Sequence, residues 1–118
     1  MPTSLRAFIG AKEFSLSRQF YRELGFTEMV LSENLSYFSL NDHGFYLQDY
    51  YLEDWVNNSM LFFAVTDLTA TLKFIASLRL PEKYPGVRLS DIQHNDWGDV
   101  FFLHDPAGVL WHVGVFKK

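Results

Sequence analysis

The chain of 118 residues contains no cysteine. Disulfides, zinc–thiolate centres and thiol nucleophiles are therefore excluded. Long apolar runs are also missing, and none approaches the roughly 20 residues that a membrane span needs. The opening Met1-Pro2-Thr3-Ser4 has no basic-then-apolar leader, so a cytoplasmic protein with no membrane partner is expected. Basic residues are few, ten against fourteen acidic ones, and they are scattered. Nucleic-acid affinity rests on clustered Lys and Arg, so no nucleic-acid partner is expected. The formal net charge of −4 instead favours a cationic small molecule.

Aromatic residues are abundant. Twelve Phe, six Tyr and three Trp make up 18% of the chain, more than a small core usually needs. Part of this set is expected to line a ligand-binding surface. The length and the 48% hydrophobic content fit one domain over residues 1–118 with a real core.

The stretch 96–113 reads as a β-hairpin. Residues 100–103 and 109–115 are apolar runs, and Asp105-Pro106-Ala107-Gly108 separates them. Pro106 presets φ for a type I turn, and Gly108 can take the left-handed conformation after it. The stretch 37–48 repeats the pattern. Leu40 falls on Leu103, Asp42 on Asp105 and, after a one-residue gap, Gly44 on Gly108, which sets Gln48 opposite His112. This points to a duplicated unit.

The rest of the chain supports the duplication. A strand over 5–9 is followed by a helix over about 13–24 with Leu16, Phe20, Tyr21 and Leu24 on its apolar face, and Gly25 stops it. Strands over 26–31, 37–40 and 45–51 follow, then a polar linker over 52–58 that contains Trp55. The second half runs in the same order: a strand over 60–65, a helix over 68–78 capped by Asp67, a break at Pro81, a strand over 86–92 and the last hairpin. The repeat of about 58 residues, present twice, is too long for a solenoid unit. The expected fold is α+β, two βαβββ modules over about 1–57 and 58–118. They would form a curved sheet with helices behind it and an open cleft in front.

Alternation along the strands assigns the faces. Arg6, Phe8, Gly10, Tyr46, Gln48, Tyr50, Met60, Phe62, Ala64, Leu110, His112 and Gly114 look into the cleft. Its composition is mostly apolar with a few polar groups, as in a small-molecule site. Of the other histidines, His43 lies in a turn, His94 in a polar loop, and His104 beside Asp105, where the two can share a local hydrogen bond.

Phe20-Tyr21-Arg22-Glu23-Leu24-Gly25-Phe26 and the Asp105–Gly108 hairpin resemble the vicinal oxygen chelate superfamily of glyoxalases, extradiol dioxygenases and bleomycin-resistance proteins. Trp97-Gly98, then Phe102-Leu103-His104-Asp105-Pro106-Ala107-Gly108 and His112, are most similar to the bleomycin-resistance type. The resemblance implies tandem βαβββ modules, a homodimer whose clefts both subunits shape, and binding of a drug without turnover. It leaves open whether the modules pair within a chain or across the dimer. It also implies that Trp97 stacks on a flat heteroaromatic group. The second stacking position falls near Leu35, which is not aromatic.

The enzymes of that superfamily hold a divalent metal on four strand positions, which align here with Arg6, Gln48, Met60 and His112. A guanidinium cannot ligate and a thioether is soft. No metal or other cofactor and no catalytic residue is therefore expected. The reading is a non-catalytic protein that sequesters a flat aromatic, cationic small molecule. Tyr46, Tyr50, Phe62, Leu110 and Met60 line the site, and Gln48, His112 and Arg6 orient polar groups, with Arg6 also able to pair with Asp49 or another acid. The alternative is a metal-dependent glyoxalase-like lyase or dioxygenase relative with a degenerate metal site.

Overall fold

A computed structural model describes residues 2–117. The first module runs β1 (Phe8–Gly10), α1 (Phe14–Leu24), β2 (Thr27–Ser32), β3 (Leu35–Leu40) and β4 (His43–Gln48). A short helix, α2 (Glu53–Asn57), occupies the expected linker. The second module runs β5 (Met60–Ala64), α3 (Leu68–Ser77), α4 (Leu80–Lys83), β6 (Arg88–Leu89), β7 (Gln93–His94), β8 (Gly98–His104) and β9 (Leu110–Phe116). No described helix is long and apolar enough to cross a membrane.

The strand orders are β1-β4-β3-β2 and β5-β9-β8-β6, with β7 also on β8. In each module the first strand lies parallel to the last and the other pairs are antiparallel. This is the tandem βαβββ architecture expected. Hydrogen bonding divides it into two sheets, one per module, rather than one continuous curved sheet.

Local chemistry sets the element ends. Gly25 takes φ 116°, and the Gly25 and Phe26 N–H groups donate to the Arg22 and Tyr21 carbonyls, a Schellman cap that ends α1. The Asp67 carboxylate accepts from the Ala70 N–H at 3.0 Å and starts α3. Three expectations are corrected. The first strand begins at Phe8, not Leu5. Pro81 does not end the helical region but sits in the first turn of α4, where no N–H is needed. The strand expected over 86–92 shrinks to β6 at Arg88–Leu89, and β7 lies beyond it: the Ser90 N–H donates to the Phe102 carbonyl, but Ser90 Oγ, not its carbonyl, accepts the Phe102 N–H, and the ladder breaks.

The core is a single cluster drawn from both modules. Ile9, Phe20, Tyr21, Phe38, Phe45 and Leu47 join Leu80, Phe101, Leu103, Val109 and Val113, all essentially inaccessible. At its centre the Trp111 ring lies 5.4 Å from Phe45 and 6.0 Å from both Tyr21 and Phe26.

One polar network crosses this core. The Tyr21 hydroxyl donates to Asp105 Oδ2 at 2.6 Å and accepts from Trp111 Nε1–H at 2.9 Å. Asp105 Oδ1 accepts the N–H groups of Ala107, Gly108 and Val109, each at 2.9 Å. Asp105 therefore pairs with Tyr21 and its own turn, not with His104, which lies on the opposite face of β8. Burial pushes the Asp105 carboxyl above its ordinary range, against the pull of these donors. Burial beside Asp105 likewise raises Tyr21 well above a free phenol.

A second network ties α1 to β2. Glu28 accepts from Arg18 and Arg22, both at 2.6 Å, and from Ser36 Oγ at 2.6 Å. Burial alone would raise the Glu28 carboxyl, but Arg18, Ser36 and Arg22 outweigh it and hold it below its ordinary value.

Tyr21→Phe should cost about 1–3 kcal/mol in urea unfolding, since it strips a donor from a buried carboxylate and an acceptor from Trp111. Asp105→Ala should cost on the order of 3 kcal/mol or more, because several buried donors lose their acceptor together. Glu28 has a depressed folded pKa, so its contribution is present above the unfolded carboxyl value and is lost as pH falls through the folded value. Glu28→Gln should therefore lower stability at neutral pH and flatten the acid limb of a stability–pH curve.

Candidate functional site

Alternation places Ile9, Phe45 and Leu47 in the core and turns Phe8, Tyr46 and Gln48 to the other face of the first sheet. The register sets Phe8, Tyr46, Tyr37 and Met29 in one row across β1, β4, β3 and β2. Phe8 stacks on Tyr46 at 4.7 Å, and Tyr37 lies 5.3 Å from Tyr46. The Arg6 guanidinium lies 4.1 Å above the Tyr37 ring and donates to the Tyr46 hydroxyl at 3.0 Å. Among the described residues Arg6 makes no ion pair, so the expected partnership with Asp49 or another acid gives way to Tyr46.

On the second sheet Trp111 and Val113 face the core, and Leu110, His112 and Gly114 face away. Phe62, His112 and Phe102 form one row and Met60, Leu110 and His104 another. The Phe62 ring lies nearly parallel to His112 at 6.2 Å and stacks on Phe116 at 4.9 Å. Trp97 completes the cluster at 6.2 Å from Phe62 and 5.6 Å from Phe116. Phe62, Trp97 and Phe116 remain 40%, 45% and 58% exposed.

Trp97 is held at the tip of the β7–β8 hairpin. Asn95 and Gly98 exchange backbone hydrogen bonds at 2.9 and 3.3 Å, and the Trp97 carbonyl accepts from the Lys117 N–H at 2.8 Å. At the hairpin's base His94 Nδ1 lies 2.9 Å from an Asp99 carboxylate oxygen. Glycine provides room for one ring on each sheet. A Cβ at Gly114 would fall 2.9 Å from Phe62 Cζ, and one at Gly44 would run into the Tyr37 ring.

The structure thus gathers Met60, Phe62, Trp97, Leu110 and His112 on one sheet, and Arg6, Tyr46 and Gln48 on the other. Tyr50 stands apart from both. β4 ends at Gln48, so strand alternation no longer governs Tyr50, and its ring lies 6.0 Å from Trp55 of α2. Phe102 and Phe116 belong to the second cluster, although neither had been assigned to the cleft. Counting in twos from His104 and from His112 reaches both.

The repeat itself is offset from the one read in the sequence. Phe8 pairs with Tyr46 as Phe62 pairs with His112, and each helix starts four residues after its strand ends, Gly10 to Phe14 and Ala64 to Leu68. Tyr46, not Gln48, is the counterpart of His112. The hairpin turns differ in length, since Leu40 pairs with His43 but His104 pairs with Leu110.

These faces do not suit a divalent ion. Among the described residues no three His, Asp or Glu side chains converge. Arg6 brings a permanent positive charge to its sheet and Met60 a soft thioether to the other. Two recesses adjoin the clusters. One of about 420 Å³ reaches from Leu5 and Ala7 past Phe45 to Phe62 and Ala64. Another of about 390 Å³ lies over Phe102, His104 and Leu110 beside Arg88. Burial, and then Arg88, push the His104 imidazole below its ordinary value.

The architecture is that of the glyoxalase/bleomycin resistance fold. Three solved structures similar to it along nearly the whole chain are bleomycin-binding or bleomycin-resistance proteins. A bleomycin-binding protein in complex with bleomycin superposes with TM-score 0.82 at 17% identity, covering 98% of this chain and 100% of that one. The bleomycin resistance determinant of transposon Tn5 gives 0.82 at 18% identity, over 98% and 100%. The bleomycin-binding protein of Streptomyces verticillus with copper(II)-bleomycin gives 0.80 at 18%, over 99% and 100%. In sequence, no family model matches the chain and no curated protein does.

Gly114→Ala should cost about 1–3 kcal/mol through overpacking, since its Cβ would fall 2.8 Å from the Asp99 carbonyl oxygen and 2.9 Å from Phe62 Cζ, with a changed near-ultraviolet circular dichroism spectrum as the readout of the displaced ring.

Proposed function

We propose that this chain binds and sequesters a flat aromatic small molecule without transforming it. The observation that carries the reading is the cluster of Phe62, Trp97 and Phe116, in which Phe62 stacks on Phe116 and Trp97 lies tilted beside both, each ring about half exposed. Stacked rings left open to water offer a planar ligand a large contact at little cost in conformational entropy. The likeness in fold to proteins solved with bleomycin supports the reading and makes bleomycin the first ligand to try. Among the described residues no three His, Asp or Glu side chains converge, so the donor set is poor for a Lewis-acid metal.

The functional unit is proposed to be a homodimer. One chain carries two aromatic faces on separate sheets, and exposed apolar patches of this kind are covered in most stable proteins. A two-fold axis would set the first sheet's face of one copy against the second sheet's face of the other, making two equal clefts.

Tryptophan fluorescence should be quenched on titration with bleomycin or another planar aromatic compound. Trp97→Ala should weaken that binding by about tenfold or more, the effect of losing a hot-spot aromatic. Absence of binding by all such compounds, or binding indifferent to Trp97, would refute the reading. Sedimentation velocity at micromolar concentration should show a dimer, and a monomer would refute the shared cleft.

A further inference from the structure

We infer that Arg6 is an anion anchor and that the ligand is a planar aromatic molecule bearing one acidic group on or next to its ring system. This rests on the reading that the open faces take an aromatic small molecule, and it specifies that molecule's charge.

The Arg6 guanidinium carbon lies over Tyr37, 4.1 Å from the ring centroid, and one of its donors is used on the Tyr46 hydroxyl. A guanidinium has five N–H donors and stays charged at every pH a protein meets. Stacking occupies its face and leaves most of its edge free, and that edge matches a carboxylate or sulfonate in a bidentate pair. No acid of the protein takes this place among the described residues. Asp42 lines the same recess of about 330 Å³, with His43, Thr3 and Ser4, but makes no ion pair with Arg6.

The surroundings supply the aromatic half of the ligand's site. Tyr46 receives the hydrogen bond from Arg6 and also stacks with Phe8, which is 50% exposed. A ring laid beside Phe8 and Tyr46 would lie next to the guanidinium that bonds the Tyr46 hydroxyl. The acidic group therefore belongs on the ring or one bond from it, not on a long tail.

The net charge of −4 points to a cation instead. Distance decides between the two. Exposed charges are largely screened beyond about 8 Å at physiological ionic strength, so a contacting guanidinium outweighs scattered carboxylates.

Three dyes of similar shape test the inference: 8-anilinonaphthalene-1-sulfonate, neutral N-phenyl-1-naphthylamine and cationic proflavine. Each is titrated by fluorescence against the full chain, Arg6→Gln, Arg6→Lys and Trp97→Ala. Arg6 is exposed, and circular dichroism checks that its variants fold. The sulfonate should bind tightest. Arg6→Gln should weaken it tenfold or more and leave the neutral dye within twofold, and Arg6→Lys should fall between. Proflavine binding better than the sulfonate overturns the inference, as does an equal effect of Arg6→Gln on the charged and neutral dyes. Binding that needs Trp97 but ignores Arg6 overturns this inference alone. Failure of all three dyes and of bleomycin to bind overturns both it and the function proposed above.

Discussion

The carboxylate of Asp105 is the point on which the rest of the molecule turns. It is fully buried, and a buried charge is costly unless its oxygens are met by donors. Here the donors come from two places: the N–H groups of its own turn, and the hydroxyl of Tyr21 on α1, 84 positions earlier in the chain. The turn holds β8 and β9 in register. Tyr21 then fastens that hairpin to the helix of the other module, and Trp111 closes the triangle from β9. His112, Phe102 and Phe116 all stand on this hairpin. Their positions relative to the first sheet follow from this buried network and the shared core around it rather than from any strand pairing between sheets.

That arrangement explains the surplus of aromatic residues. Phe20, Tyr21, Phe26, Phe38, Phe45, Phe101 and Trp111 fill the shared core, many edge to face. A second set, Phe8, Tyr37, Tyr46, Phe62, Phe102 and Phe116, stands on the outer faces of the strands, with Trp97 at the β7–β8 turn beside them. Strand alternation makes the division possible, since neighbours such as Phe101 and Phe102 point opposite ways. Core packing accounts for the first set and offers no reason for the second. Rings left on open faces, with Gly44 and Gly114 making room beneath two of them, are what a planar ligand or a second subunit would use.

Much of this was legible in the sequence because periodicity is a local signal. The apolar spacing along α1, the Gly25 stop and the Asp67 cap act within a turn or two of chain, and each appears where expected. The facing of Tyr46, Phe62 and His112 was legible too. The two-residue error in the repeat did not disturb it, because a shift by an even number keeps every side chain on its face. What escaped depends on contacts distant in sequence. Nothing near Asp105 announces Tyr21, and its neighbour His104 was the natural but wrong partner. The break between β6 and β7 comes from Ser90 bonding to Phe102 across the sheet, not from a breaker residue.

The placement of Arg6 bears on two questions that composition leaves to averages. Its side chain is pinned on Tyr37 and Tyr46, at the mouth of the first sheet's open face. A fixed cation there repels a divalent ion and supplies no lone pair to hold one, which bears on the chemistry this fold can host. The same fixed cation attracts an anion, with its orientation already set by the two rings, so little entropy remains to be lost on binding. Both effects follow from the strand register that puts Tyr46 beside Phe8 and Tyr37 rather than from the sum of the chain's charges. On the proposed reading, the ligand is therefore selected by a cation held among aromatics, in a protein whose overall charge has the opposite sign.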